Sequence, residues 1–400
     1  MDKTILILID KADNDRYYQR FGIRYLLEVG FRVEVWNMSP VIHPAMANKI
    51  DPDGAPEGVT LTTFDRRSEL QRRLAELSPE RYWLFLPFPA GKATRFIYDI
   101  ITARQLDYII KDIKSQPTAP EFAQYVQGQY NPPPAQKALQ QMKYLSWRFN
   151  WRYQVRKPTF ALVGTAYHQQ LLAKRLGPAT EVIKSHVEDY ETCQRTQEGE
   201  APDFGLPENE YGIFLDQCLP TLSDAVLREK KFGIKNPITA ERYYPTLQRF
   251  FAHVEQITGR SVVFAAHPKT DPQVIQHYFP DRPCFIGKSA ALARHCQFAI
   301  THFSTSLNFA VLFHKPIIFC RTAEMQGNPY EQQAAYLAQL LDRPLIDAEA
   351  PTNRSVQAVN ETAYQQFIHK YIKEAGTPPE STWQTAAQRL AAAQETLAPA

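Results

Sequence analysis

Short apolar runs separated by helix-length stretches recur along most of this chain, and that alternation restricts its fold more than any other feature. The run "TILILID" at the start is rich in β-branched residues, and "FRVEVWNM", "GVTLTTF", "YWLFLPF" and "PTFALVGT" repeat the pattern. Between them, "RYYQRFGIRYLLEVG" has helical periodicity closed by Gly30, and "RRSELQRRLAEL" is a charged amphipathic helix. The stretch "ATRFIYDIITARQLDYIIKDI" reads as one long helix, and another is expected from roughly Ala135 to Tyr153. Strands joined by helical crossovers pair in parallel, which predicts a doubly wound α/β sheet.

The rhythm breaks at "RTQEGEAPDFGLPENEY", a polar, acidic, Pro- and Gly-containing stretch, and then restarts. "YGIFLDQ", "SVVFAAHP", "CFIG", "FAITH" and "KPIIFC" are strands, with helices over "YYPTLQRFFAHVEQITG", "STSLNFAVLF" and "NPYEQQAAYLAQLL". Two more helices are expected at about 359–375 and 381–397. A chain of 400 residues exceeds what one hydrophobic core usually serves. The expected organisation is a Rossmann-like domain over 1–190, a linker over 191–210 and a second Rossmann-like domain over 211–357. Helices over 358–400 then pack back across the domains. In such a pair the ligand crevice lies between the domains, beyond the carboxyl ends of the strands.

Composition narrows the function classes. Hydrophobic residues at 44% and charged residues at 22% are ordinary for a globular protein, and a net charge of +3 gives no ground for nucleic acid as a partner. The five cysteines contain no C-x-x-C pair, so neither a disulfide framework nor a zinc site is indicated, and a cytoplasmic location is expected. No apolar run is long enough to span a bilayer or to serve as a signal peptide. There is no G-x-G-x-x-G and no Walker lysine motif, which argues against hydride transfer and ATP hydrolysis.

Two strand ends carry the chemistry. In "VVFAAHPKTD" an apolar run stops at His267, Pro268 and Lys269. An imidazole there can donate a proton or hydrogen bond to a phosphate while Lys269 supplies charge; the plain alternative is a turn at which Pro268 ends pairing. In "FAITHFSTSLNFAVLFHKPIIF" the residues Ser304, Thr305 and Ser306 fall where a helix begins. Hydroxyls and helix-start amides suit an anion, although a Ser/Thr N-cap accounts for part of the pattern.

The segments "VVFAAHPKTDP" and "THFSTSLNFAVLFHKPIIF", with "YGIFLDQCLP" and "ERYYPTLQRFFAHVEQITG", resemble the donor-binding half of bacterial GT-B glycosyltransferases of surface polysaccharide synthesis. The sialyltransferases and Kdo (3-deoxy-manno-octulosonic acid) transferases, with their His-Pro and Ser/Thr-Ser motifs, are the nearest in pattern. The resemblance covers roughly residues 180–325; the N-terminal half shares only architecture. It implies that His267 assists departure of the nucleotide phosphate and that Ser304, Thr305 and Ser306 bind it. It further implies a nucleotide-sugar donor, CMP-linked in preference to UDP-linked, and an oligosaccharide or lipid-linked glycan acceptor bound by the first domain. Polyol-phosphate transferases, nucleotide-sugar epimerases and a non-catalytic nucleotide-sugar-binding scaffold share enough of these features to stand as alternatives.

The acid-acid-Gly triplet that supplies the base in the sialyltransferases is absent here. Candidate bases by position are Asp189 in "SHVEDYE", Asp216 in "FLDQ" and Asp10 at the end of the first strand, the last of which also reads as an acidic helix start. The "DPD" at 51–53 lies in a Pro/Gly-rich loop and reads as a turn. No essential metal and no cofactor are expected. Finally, "KYLSWRFNWRYQVRK" interleaves Trp147 and Trp151 with Arg148, Arg152 and Arg156 and holds no acid. It suits contact with an anionic inner-membrane surface, an acidic glycan or single-stranded nucleic acid, or else a helix with aromatics inward and arginines wet.

Overall fold

The computed structural model describes residues 3–10, 21–44, 57–126, 142, 155–199, 202–221, 236–352 and 356–397. The chain divides into two units: Met1–Ser115, Gln141–Val187 and Lys373–Ala400 form the first, and Gln116–Gln140 with Glu188–Ile372 form the second. The first unit is therefore not one continuous stretch as expected. It takes its last helix from the C-terminus and gives up a segment near residue 120.

Among the described residues unit 1 holds seven strands: β1 (Thr4–Ile9), β2 (Arg32–Asn37), β3 (Val59–Thr63), β4 (Tyr82–Phe85), β5 (Asp107–Asp112), β6 (Phe160–Val163) and β7 (Glu181–Lys184). They pair in parallel in the order β3-β2-β1-β4-β5-β6-β7. Side chains alternate across a strand, and β1 shows the consequence. Ile5, Ile7 and Ile9 enter one buried cluster, Leu6 and Leu8 another. The cluster around Ile5 is completed by Trp383, Ala387 and Leu390 of the Thr382–Leu397 helix, with Trp383 edge-on to Phe85 at 5.4 Å.

Among the described residues unit 2 holds six strands: β8 (Tyr211–Leu215), β9 (Ser261–Ala266), β10 (Cys284–Ile286), β11 (Phe298–Thr301), β12 (Ile317–Arg321) and β13 (Leu345–Asp347). Their order is β10-β9-β8-β11-β12-β13, again all parallel. Both sheets start in the middle and wind outward in two directions, the doubly wound arrangement that the alternation predicts. The Ala240–Thr258 helix links β8 to β9 and ends at Gly259, whose φ of 66° is the left-handed stop.

Three expectations need correction. The single long helix over 93–113 is a helix, Arg95–Ala103, followed by strand β5. Gln105, at a φ of 53°, turns the chain between them, and Tyr108, Ile109 and Ile110 gain a central place in the sheet that local periodicity does not reveal. The expected linker over 191–210 is helical at its start. Glu188–Glu198 is a helix whose acidic first turn suits its N-terminus, and Cys193 on it is buried. Of the C-terminal helices, Glu361–Phe367 continues into a π-type turn, Ile368–Ile372, within unit 2, whereas Thr382–Leu397 belongs to unit 1. The expected helix near 135–153 and the "DPD" loop lie outside the described residues, apart from Met142.

Among the described residues no helix is long and apolar enough to cross a membrane. Among the described glycines of unit 2, Gly212 leaves the least room for a side chain. A Cβ there would sit 2.3 Å from the Phe298 ring on the neighbouring strand. Gly212→Ala is expected to destabilise unit 2 by about 2 kcal/mol, the scale of core overpacking, as a lowered urea midpoint at unchanged slope.

Candidate functional site

The site lies at the carboxyl edge of the second sheet. There β8 and β11, neighbours in space, lead their chains away in opposite directions, and ligands of doubly wound sheets bind at such a switch point. His267 follows β9, Asp216 and Gln217 follow β8, and His302 to Ser306 follow β11. His267 and Ser304 are thus on one edge and two strand spacings apart, about 10 Å.

Asp216 organises the His-Pro-Lys side. Its carboxylate is buried and accepts hydrogen bonds from the Cys218 amide at 2.9 Å, the His267 amide at 3.3 Å and the Thr270 hydroxyl at 2.9 Å. Burial pushes its pKa up, and these three donors together with the neighbouring imidazole oppose that shift. Placed so, Asp216 fixes the turn that presents His267.

Within that turn the Lys269 amide donates to Nδ1 of His267 at 3.1 Å. With Nδ1 accepting, the neutral ring carries its proton on Nε2. His267 is half-buried, while Pro268 and Lys269 are exposed.

The opposite side is the turn after β11. Gln217 accepts from the Phe303 amide at 2.9 Å and so ties the ends of β8 and β11 together. The Ser304 amide donates to the Thr301 hydroxyl at 3.2 Å, and the Ser306 amide donates to Oγ of Ser304 at 3.3 Å. The amides of Leu307, Asn308 and Phe309 donate to the carbonyls of Ser304, Thr305 and Ser306. Most amides that the sequence offered to an anion are therefore engaged within the turn. The helix they start is a short one, Leu307–Leu312. What the turn presents is the exposed Thr305 and the half-buried Ser306; Ser304 is buried and shapes it.

Asp189 joins this side of the site. From the first turn of the Glu188–Glu198 helix, its Oδ2 accepts from Nδ2 of Asn308 at 2.8 Å. Asp10 lies in unit 1, at the carboxyl end of β1, with one oxygen 3.6 Å from Nε2 of His43. Of the basic stretch, Trp147, Arg148, Trp151 and Arg152 are outside the described residues. Arg156 engages Asp107 and Gln105, each at 2.6 Å, within unit 1.

Two residues passed over in the sequence belong here. Gln217 is one; its only signal was its place two residues beyond a strand end. His302 is the other. It is fully buried, and Nδ1 lies 2.6 Å from the Cys320 carbonyl, which only accepts, so Nδ1 carries the proton. Nε2 then accepts from the Tyr243 hydroxyl at 3.0 Å. Burial lowers the His302 pKa to about 4, and burial raises that of Tyr243. The histidine is structural, joining β11, β12 and the Ala240–Thr258 helix.

This sets a sign for acid stability. The unfolded chain binds a proton at His302 near pH 6.5 and the folded chain only near pH 4, so the unfolded state binds more protons between those values. His302 therefore withdraws stability as pH falls from 6.5 towards 4, by about 3 kcal/mol at the lower limit. The raised Asp216 carboxyl acts in the opposite sense, so the test compares variants. Between pH 7 and pH 4.5, wild type should lose more stability than His302→Gln in denaturant titrations.

No family model matches this sequence, and neither does any curated protein. Among solved structures, the calicheamicin glycosyltransferase CalG4 matches over 100% of both chains with a TM-score of 0.52 at 12% identity. The spinosyn forosaminyltransferase SpnP matches over 100% of this chain and 96% of its own, with a TM-score of 0.41 at 11% identity. Arabidopsis thaliana UGT89C1, complexed with UDP, matches over 99% and 94%, with a TM-score of 0.42 at 8% identity. The likeness to CalG4 establishes the fold: two Rossmann-like α/β units of the GT-B glycosyltransferase type.

Proposed function

We propose that this protein is a glycosyltransferase that moves a sugar from a nucleotide-activated donor to a glycan acceptor. The observation that carries the reading is the His267 turn and the Thr305–Ser306 turn on one edge of the unit 2 sheet, flanking its switch point. The GT-B fold shared with CalG4 supports it.

In this mechanism the acceptor hydroxyl attacks the anomeric carbon while the bond from that carbon to the leaving phosphate oxygen breaks. The hydroxyl proton passes to a carboxylate, assigned to Asp189, which Asn308 holds beside the β11 turn. Nε2–H of His267 donates to the leaving phosphate, Lys269 adds positive charge, and the hydroxyls of Thr305 and Ser306 bind its oxygens. The donors are oriented before the substrate arrives, so they stabilise the growing charge without reorganising. The motif resemblance assigns a CMP-linked sugar of the Kdo or sialic-acid kind as donor, and a bacterial surface glycan, free or lipid-linked, as acceptor.

The donor class is tested by thermal shift with a panel of cytidine and uridine nucleotides. A true donor nucleotide at a hundred times its Kd stabilises by about 2.7 kcal/mol, and no shift with any nucleotide would end the proposal. His267→Ala is expected to lower kcat by about 100-fold or more with little change in unfolding midpoint, since Asp216 grips the backbone of that turn and not the ring. Asp189→Asn should lower kcat comparably with donor affinity retained. A loss confined to Asp10→Asn would move the base to unit 1.

A further inference from the structure

One segment of unit 2 comes from far away in sequence. Gln116–Val126 lies between β5 and β6, both strands of unit 1, yet it is built into unit 2. Its attachment is specific. Gln333, on the Pro329–Leu340 helix, is 2% exposed, and both ends of its amide are occupied by the segment. Oε1 accepts from the Ala119 amide at 2.8 Å, and Nε2 donates to the Pro117 carbonyl at 3.0 Å. A buried side-chain amide satisfied in this way acts like one rung of a strand pair.

The held segment reaches the turn after β11 by two routes. Nε2 of Gln116 donates to the Ser304 carbonyl at 3.1 Å. That same carbonyl accepts the Leu307 amide, so the contact is made at the residue that shapes the turn. The second route is aromatic. Phe122 meets Phe303 edge-on at 5.3 Å, Phe303 stacks on Tyr330 at 5.6 Å, and Tyr125 meets Tyr330 at 5.4 Å. The hydroxyls of Tyr125 and Tyr330 are 3.3 Å apart. Phe303 is thus clamped from one side by the segment while its amide is held by Gln217 from the other.

We infer that Gln333 and Gln116 are positioning residues. Through the Gln116–Val126 segment they set the shape of the Phe303–Ser306 turn, and, on the donor-site reading given above, its fit to the donor phosphate. Neither residue touches the reacting atoms. Their effect on binding passes through the geometry of the turn.

The test is hydrogen exchange by mass spectrometry on the full-length protein, with CMP and UDP affinities measured on the same samples. In Gln333→Leu, which keeps the volume and removes both hydrogen bonds, exchange should rise about tenfold in peptides covering 117–126 and also in those covering 303–306. In Gln116→Ala, a milder change at a half-buried side chain, the rise should be confined to 303–306. Gln333→Glu keeps the acceptor for the Ala119 amide and should recover part of the protection. For whichever nucleotide binds wild type, Kd should rise about tenfold in Gln333→Leu and recover in step with the exchange of the turn. If the segment loosens while 303–306 keeps wild-type protection, or if the turn loosens while Kd is unchanged, positioning is overturned. If wild type binds neither nucleotide, the donor-site reading fails, and exchange at 303–306 still decides whether the segment shapes the turn.

Discussion

A carboxylate removed from water and surrounded by donors holds one half of the candidate site together. Asp216 sits at the end of β8 and gathers the Cys218 amide, the His267 amide and the Thr270 hydroxyl. A buried charge is costly unless its lone pairs are used, and here the donors come from its own loop and from the one after β9. Removing the carboxylate would leave buried donors without an acceptor and free the turn that orients His267. The tautomer of that ring depends on the same turn, because only in this shape does the Lys269 amide reach Nδ1. Asp216, one of the candidate bases by its place in the sequence, is a fixed post for its neighbour.

In the other half neutral side chains shape the turn, with the Asp189 carboxylate bound to Asn308 beside it. The side-chain amides of Gln217 and Gln116 bind backbone groups of the β11 turn, Gln333 holds the segment that carries Gln116, and an aromatic cluster packs against Phe303. His302 adds a buried link from the start of the turn to β12 and to the Ala240–Thr258 helix.

Much of the architecture was legible because it rests on local patterns. Runs such as "TILILI" and "SVVFAA" are apolar at nearly every position, as strands covered on both faces must be, and Gly259 marks the helix end it forms. What local patterns could not show was pairing. Residues 107–112 continue the apolar spacing of the helix before them, and only their neighbours β4 and β6 make them a strand. The acidic stretch after Asp189 looked like a linker because its polar residues outnumber the single buried Cys193. His267 and the Ser304–Ser306 turn were found because strand ends are visible in a sequence. Gln333 could not be, since nothing near it announces a partner more than two hundred residues earlier.

The Thr382–Leu397 helix closes the buried cluster around Ile5, Ile7 and Ile9 from more than 370 positions away. Strands β1 to β7 therefore cannot cover that face by themselves. The loop-closure entropy of so distant a contact has to be met before its burial rewards it. A chain cut before residue 382 would leave the face bare, an apolar surface suited to transient chaperone binding.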